Sequence, residues 1–152
     1  YSMRMQEVTA AMLTPQIERL PKIKKIHVEN WNLLHSLIHD HDNIEIPMPL
    51  PQVDSFCDTM QFHLVGLSRE KADQFIDLMK MEKVPMQIFG AKRNARDYRQ
   101  WEYVEAHKEE LGETIANIEF ACDLSLQPHL TQDNIRVIAQ VIGEVLAYIN
   151  AQ

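Results

Sequence analysis

MQFHLVGLSREKADQFIDLMKMEKVPMQIF, residues 60–89, is the stretch that decides the fold. Met60, Phe62 and Leu64 alternate with Gln61 and His63. A period of two turns one face of a strand toward the core and the other away from it, so the pattern predicts a half-buried strand running to Val65. Ser68 stands where a hydroxyl would cap a helix reaching about Met81, with Ala72, Phe75, Ile76 and Met79 on its inward face. A short strand over Val84–Phe89 follows. Strand, helix and strand in succession make a β-α-β element of a small two-layer domain.

Toward the N-terminus the apolar period lengthens. Met5, Val8, Met12, Ile17 and Leu20 fall close to helical spacing. Pro15 cannot donate a backbone hydrogen bond to residue 11, so a kinked or restarted helix is expected there, with Thr14 as cap. Pro21 is placed as the first residue of a second long helix, whose stripe is Ile23, Ile26, Leu33, Leu34, Leu37 and Ile38, with Trp31 at its edge. The polar run 39–43 ends it. Prolines at 47, 49 and 51 restrict residues 44–51 to an extended edge or connecting segment.

Toward the C-terminus, residues 90–103 lack a clean period and read as an ordered loop with one helical turn. A helix over about 106–117 leads into a strand near 120–126. Thr131 then caps a last helix, whose buried stripe is Ile135, Ile138, Ala139, Ile142, Val145, Leu146 and Ile149. The expected class is α+β: two long N-terminal helices, 1–20 and 21–40, and a body over 44–152 whose small sheet is covered by helices mainly on one face.

Composition fits a single domain with its own core, since 45% of the 152 residues are hydrophobic and 24% charged. The formal net charge of −7 argues against general attraction to nucleic acid or an anionic membrane. No apolar run approaches the roughly 18 residues that a bilayer span requires. Cys57 and Cys122 form no paired motif and fit a reducing, cytoplasmic compartment. Because the chain starts at Tyr1 with the periodic pattern already under way by Met5, it reads as cut from a longer or processed protein.

Few residue patterns carry chemistry. His35 and His39 share a helix face, but Ser36 breaks the metalloprotease motif, and a solvated helix end is the simpler reading. The four glycines are too scattered for a phosphate loop, and neither cysteine has an evident partner. Lys92, Arg93, Arg96 and Arg99 among Tyr98, Trp101 and Tyr103 are the most suggestive group. Their guanidiniums could clamp phosphate or carboxylate, with the rings stacking on a sugar or base. Alternatively, Arg96 and Arg99 pair internally with Asp97, Glu102 or Glu105 while Trp101 pins the loop to the core.

The opening Tyr1-Ser2-Met3-Arg4-Met5-Gln6-Glu7-Val8-Thr9-Ala10-Ala11, then Gln16-Ile17-Glu18-Arg19-Leu20, resembles the G-Y-N-Y-R-M-S-E-x-x-A-A-x-x-x-x-Q-L segment of the DegT/DnrJ/EryC1/StrS family of sugar aminotransferases. Asp123-Leu124-Ser125-Leu126 with His129-Leu130-Thr131 is similar to that family's last strand and final helix start. Gln127 stands where the family has proline, and Val84–Phe89 departs from the common pattern; both bear on the substrate subtype.

The resemblance implies the small C-terminal domain of a fold-type I enzyme that uses pyridoxal phosphate, with the cofactor lysine and the aspartate facing the pyridine nitrogen upstream. None of the eight lysines here follows the cofactor-lysine pattern, so no catalytic residue is expected in these 152 residues and the fragment alone should be inactive. Ser2 takes the place of an asparagine that reaches the cofactor phosphate of the neighbouring subunit, which implies a homo-oligomer. Arg4 matches the motif arginine near the active-site entrance, so residues 1–20 become an entrance and dimer-contact helix. Lys92, Arg93, Arg96 and Trp101 are the substrate candidates. The implied partners are a keto-sugar or sugar nucleotide and an amino donor, glutamate or glutamine. A dehydratase using the same cofactor, or a standalone binding or regulatory domain, are the alternatives.

Overall fold

A computed structural model describes residues 5–91, 94–103 and 111–152. The elements in order are α1 (Glu7–Ile38), β1 (Ile44–Glu45), β2 (Thr59–Leu64), α2 (Arg69–Met81), β3 (Met86–Ile88), a 3-10 turn (Tyr98–Gln100), α3 (Gly112–Phe120), β4 (Ala121–Ser125) and α4 (Gln132–Asn150). The α+β class expected from the sequence is what the chain forms.

The β-α-β element is present in split form. The sheet order is β1-β2-β4-β3, and every neighbouring pair is antiparallel. Because β4 runs opposite to both β2 and β3, those two strands are parallel to each other with β4 inserted between them. Met60, Phe62 and Leu64 of β2, Met86 and Ile88 of β3, and Cys122 and Leu124 of β4 join one core with Phe75 and Met79 of α2 and the buried stripe of α4. Gln61, His63, Gln87 and Asp123 lie on the opposite sheet face, as alternation requires.

Helix ends follow the capping chemistry. Ser68 accepts from the Lys71 amide, and Thr131 accepts from the Asn134 amide while the Asn134 side chain accepts from Thr131, a reciprocal capping box. Thr131→Ala should therefore lower the unfolding free energy by about 1 kcal/mol in a urea titration. At the other end of α2, Lys83 at φ +61° lets Val84 N–H reach the Met79 carbonyl at 2.9 Å and closes the last turn.

The division of the N-terminal region at Pro21 is corrected. One 32-residue helix runs through both Pro15 and Pro21. Each proline removes one intrahelical N–H donor, but residues 5–22 are all exposed, so the freed carbonyls face solvent and the cost is local. The helix becomes part of the body only from Ile23 onward. Its buried line is His27, Asn30, Leu34 and Ile38, while the expected stripe residue Leu37 is 49% exposed.

Polar ties fix the packed half of α1 and the end of α4. Asn30 donates to the Leu130 carbonyl at 3.0 Å. Asn150 donates to Asn43 Oδ1 at 2.7 Å, and Asn43 donates to the Val65 carbonyl at 3.0 Å. Cys57 and Cys122 are both free thiols, and burial pushes the Cys122 thiol up out of the reactive range. No helix among the described residues is long and apolar enough to cross a membrane.

Candidate functional site

The loop after β3 is tied down at its start. Phe89 N–H donates to the Ala121 carbonyl at 3.0 Å and Gly90 N–H to the Ile118 carbonyl at 2.8 Å. Position 90 must be glycine, because a Cβ there would sit 2.9 Å from the Glu119 Cα and 3.0 Å from the Ile118 carbonyl oxygen. Asn94 then donates to the Ile88 carbonyl at 2.8 Å and accepts from Arg96 N–H at 3.0 Å. The loop is thus held against the junction of α3 and β4.

Its two described arginines, Arg96 and Arg99, are already committed. Arg99 donates through Nε to both Asp97 oxygens at 3.0 and 3.1 Å, through Nη2 to Oδ2 at 2.9 Å, and through Nη1 to Glu119 Oε1 at 3.0 Å. Asp97 is buried, and its Oδ1 also accepts from Arg99 N–H at 3.0 Å, which caps the 3-10 turn. The Arg99 guanidinium holds the Asp97 carboxyl below its ordinary range, outweighing burial, and Asp97 in turn raises Arg99.

Arg69, in the first turn of α2, donates to the Glu119 carbonyl at 2.8 Å and forms an ion pair with Asp73 Oδ1 at 2.9 Å. These groups line an open cleft of about 720 Å³ between α2, the loop and α3. Arg96 reaches in a different direction. It lies over the Phe89 ring, 5.2 Å from the centroid, and donates to Asp123 Oδ2 at 2.6 Å on the open face of the sheet. That contact explains why Asp123, in mid-strand on the polar face, is only 6% exposed.

Of the residues singled out by sequence, Ser2, Arg4, Lys92 and Arg93 lie outside the described residues. Arg96 and Trp101 are described but are not brought together on one ligand surface. Trp101 donates to the Ala95 carbonyl at 2.7 Å and stacks on Tyr103 at 5.6 Å. It braces the loop internally and stays 37% exposed, so its contact is with the loop itself. The internal pairing of Arg99 with Asp97 was legible. Arg96 with Asp123 and Arg99 with Glu119 were missed, as were Arg69 and Asp73.

On α1, Trp31, His35 and His39 stack in a ladder at 5.0 and 5.1 Å. Burial, and secondarily His39, lower the His35 pKa. No group of three or more potential metal ligands occurs among the described residues. His27 packs against Phe56 at 5.3 Å and leaves Nδ1 buried with no protein partner among them.

Solved structures with this fold include the proposed sugar aminotransferase Spr1654 of Streptococcus pneumoniae in its PMP form, at TM-score 0.81 and 13% identity over 96% of this chain and 36% of that one. Others are 3-amino-5-hydroxybenzoic acid synthase, at 0.76 and 21% over 97% of this chain and 40% of that one, and the Escherichia coli GDP-4-keto-6-deoxy-D-mannose-3-dehydratase with bound hydrated PLP, at 0.73 and 13% over 93% and 36%. The chain thus spans well under half the length of each of these proteins, and identities this low establish the fold alone. No match was found among curated proteins.

The described residues do not by themselves fit pyridoxal phosphate. Among the described residues no lysine lines the charged cleft, its described guanidiniums are held by carboxylates, and Lys71 is turned to the Ile149 carbonyl at 3.0 Å. Residues 1–142 nevertheless match one family across nearly the whole sequence, and the chain belongs to the DegT/DnrJ/EryC1/StrS aminotransferase family.

Proposed function

We propose that these 152 residues are the C-terminal small domain of a pyridoxal-phosphate-dependent sugar aminotransferase whose cofactor-binding large domain lies upstream. The single observation that carries this reading is the family match over residues 1–142, with the corresponding fold beneath it. The parent enzyme moves an amino group from glutamate or glutamine to a keto-sugar, nucleotide-linked, as a cytoplasmic homo-oligomer. Ser2 contacts the cofactor phosphate of the neighbouring subunit, and Arg4 holds the segment at the active-site entrance. The cofactor, when bound upstream, supplies the electron sink that amino transfer needs. This domain supplies entrance and assembly surfaces, and by itself it is catalytically silent.

The exposed half of α1 supports a role in assembly. Residues 7–22 extend for roughly 24 Å at the helical rise. Along them Val8, Met12 and Ile17 are 61–70% exposed, with Leu13 and Leu20 beside them. An apolar row of this length on a soluble surface marks a contact. The isolated chain should self-associate as concentration rises, and a strictly monomeric light-scattering profile would contradict this.

The decisive test uses the complete reading frame that contains this sequence. The purified protein should bind pyridoxal phosphate with a visible absorbance band, and L-glutamate should bleach that band. Absence of the band in the intact protein would sink the proposal. The dehydratase among the structures of this fold favours a second reading, a parent that removes water from the sugar without net amino transfer. Mass spectrometry of the product with an amino donor separates the two: nitrogen retained in the sugar means transamination, and its absence means dehydration.

A further inference from the structure

We propose that the open face of the sheet carries a binding site for a small carboxylate, which docks on the Nε and Nη2 edge of Arg96. The two described arginines of the 90–103 loop spend their donors differently. Arg99 uses its whole fork, with Nε and Nη2 on the Asp97 carboxylate and Nη1 on Glu119. Arg96 uses Nη1 alone, on Asp123 Oδ2. Among the described residues its Nε and Nη2 have no acceptor, and the side chain is 54% exposed.

That edge is held in place before any ligand arrives. Asp123, in mid-strand on β4, is 6% exposed and anchors Nη1 at 2.6 Å. Gln61 Nε2 donates to the other Asp123 oxygen at 3.5 Å, which orients the carboxylate. The Phe89 ring covers the guanidinium from one side, 5.2 Å from centroid to Cζ. Asn94 Oδ1 accepts from Arg96 N–H at 3.0 Å and fixes the backbone from which the side chain extends. A guanidinium held at one corner and along one face gives up little further freedom on binding. The cross-strand neighbours of Asp123, Gln61 on β2 and Gln87 on β3, are uncharged, so no second carboxylate flanks it in that row.

Arg99 shows what such an edge takes. Three residues along the same loop, a guanidinium already bound through Nη1 to one carboxylate holds a second, planar one on Nε and Nη2 at 2.9–3.1 Å. Arg96 reproduces half of that arrangement, with Asp123 in the role of Glu119 and the side-on pair of N–H groups unspent. Two oxygens of one carboxylate match those two parallel donors. Because Asp123 balances the Arg96 charge and water reaches the edge, directed hydrogen bonds do the holding and binding is weak, in the millimolar range. The same balance selects against a phosphate monoester, whose second negative charge meets Asp123 at greater cost. The assignment rests on which donors are unspent and not on a count of the loop's charges, and it is independent of the transamination reading.

The experiment is a chemical-shift titration of the isotope-labelled 152-residue chain with acetate, methyl phosphate and chloride at matched ionic strength, at about pH 7 where the phosphate is mainly a dianion. Both the arginine Nε–H signals and the backbone amides are followed. Acetate should shift the Arg96 Nε–H signal and the Asp123 and Gln87 amides saturably. It should leave the Arg99 Nε–H signal in place, since Asp97 already occupies that edge. Methyl phosphate should bind several-fold more weakly, and chloride should move neither signal. Arg96→Lys and Arg96→Gln, at an exposed side chain, should each weaken acetate at least about fivefold at the Asp123 and Gln87 amides, with the Phe62 amide unchanged as the check on folding. The Arg96 Nε–H signal of the unaltered chain keeps the test valid if either substitution loosens the loop. No saturable acetate shift, methyl phosphate binding as tightly as acetate, a response at Arg99 in place of Arg96, or acetate binding indifferent to both substitutions would overturn the proposal.

Discussion

Truncating Phe62 to alanine is expected to lower the unfolding free energy by ~3–5 kcal/mol, the range for deleting a fully buried aromatic side chain. Phe62 is 1% exposed and sits on β2 opposite Cys122 of β4, at the centre of the sheet face that meets the helices. Neighbours on a backbone fixed by the antiparallel pairing of β2 with β4 cannot collapse fully into the space. The loss is therefore both transfer energy and cavity. A domain of this kind has about 5–15 kcal/mol in total, so the variant should be partly unfolded at modest urea concentrations. Urea titration with an unchanged denaturant slope measures it. Gln61→Ala, one residue away on the exposed face, should cost no more than about 1 kcal/mol. A loss below about 1 kcal/mol for Phe62→Ala would mean that the core is not centred on β2.

The same contrast shows which parts of the fold were legible. Alternation at Met60, Phe62 and Leu64 is a local signal, and it named the core side of β2 correctly. Ser68 and Thr131 were equally local, because a cap is a property of four consecutive residues. Pro21 misled for the complementary reason. Proline's missing donor predicts a break from the residue alone, yet the break is avoided when the orphaned carbonyls lie in solvent, and solvent exposure is a tertiary fact. The sequence also could not show that β4 slides between β2 and β3, since insertion of a strand is a long-range choice.

The candidate site suffered most from that last gap. Arg99 with Asp97 is a pair two residues apart and was readable. Arg96 with Asp123 is separated by 27 positions, and Arg99 with Glu119 by 20. Both depend on where β4 and the end of α3 lie. In a basic loop that suggested anion binding, the two described arginines, Arg96 and Arg99, are thereby neutralised. Family membership remained legible where geometry did not, because it rests on fixed spacings such as Arg4-Met5 with Ala10-Ala11 and extends over residues 1–142.

Replacing Arg99 with methionine is expected to destabilise the chain by ~3–5 kcal/mol at neutral pH, because it leaves a buried carboxylate without its cation. The Asp97 side chain is 5% exposed and Arg99 27% exposed, so water reaches the carboxylate only from the cleft and replaces the guanidinium incompletely. Methionine keeps the unbranched apolar stem of arginine and removes the guanidinium, which limits the change in packing. The pH dependence follows from the direction of the Asp97 shift. Its folded pKa is depressed, so the pair's contribution is fully present above the unfolded aspartate value of about 3.9 and is lost as pH falls through the lower folded value. The gap between Arg99→Met and the parent should consequently be widest at neutral pH, start to shrink as falling pH protonates the stranded and still buried Asp97 of the variant, and be smallest once Asp97 is protonated in both proteins. Arg99→Lys should recover only part of the loss, since one ammonium cannot reproduce a fork that contacts both Asp97 oxygens and Glu119 together. Asp97→Asn combined with Arg99→Met should recover more, because asparagine removes the stranded charge while its carbonyl still accepts from the residue 99 amide. Chemical denaturation of all four proteins across pH measures these differences. A gap that persists undiminished at about pH 3 would show that Arg99 stabilises the loop through packing and not through the Asp97 charge.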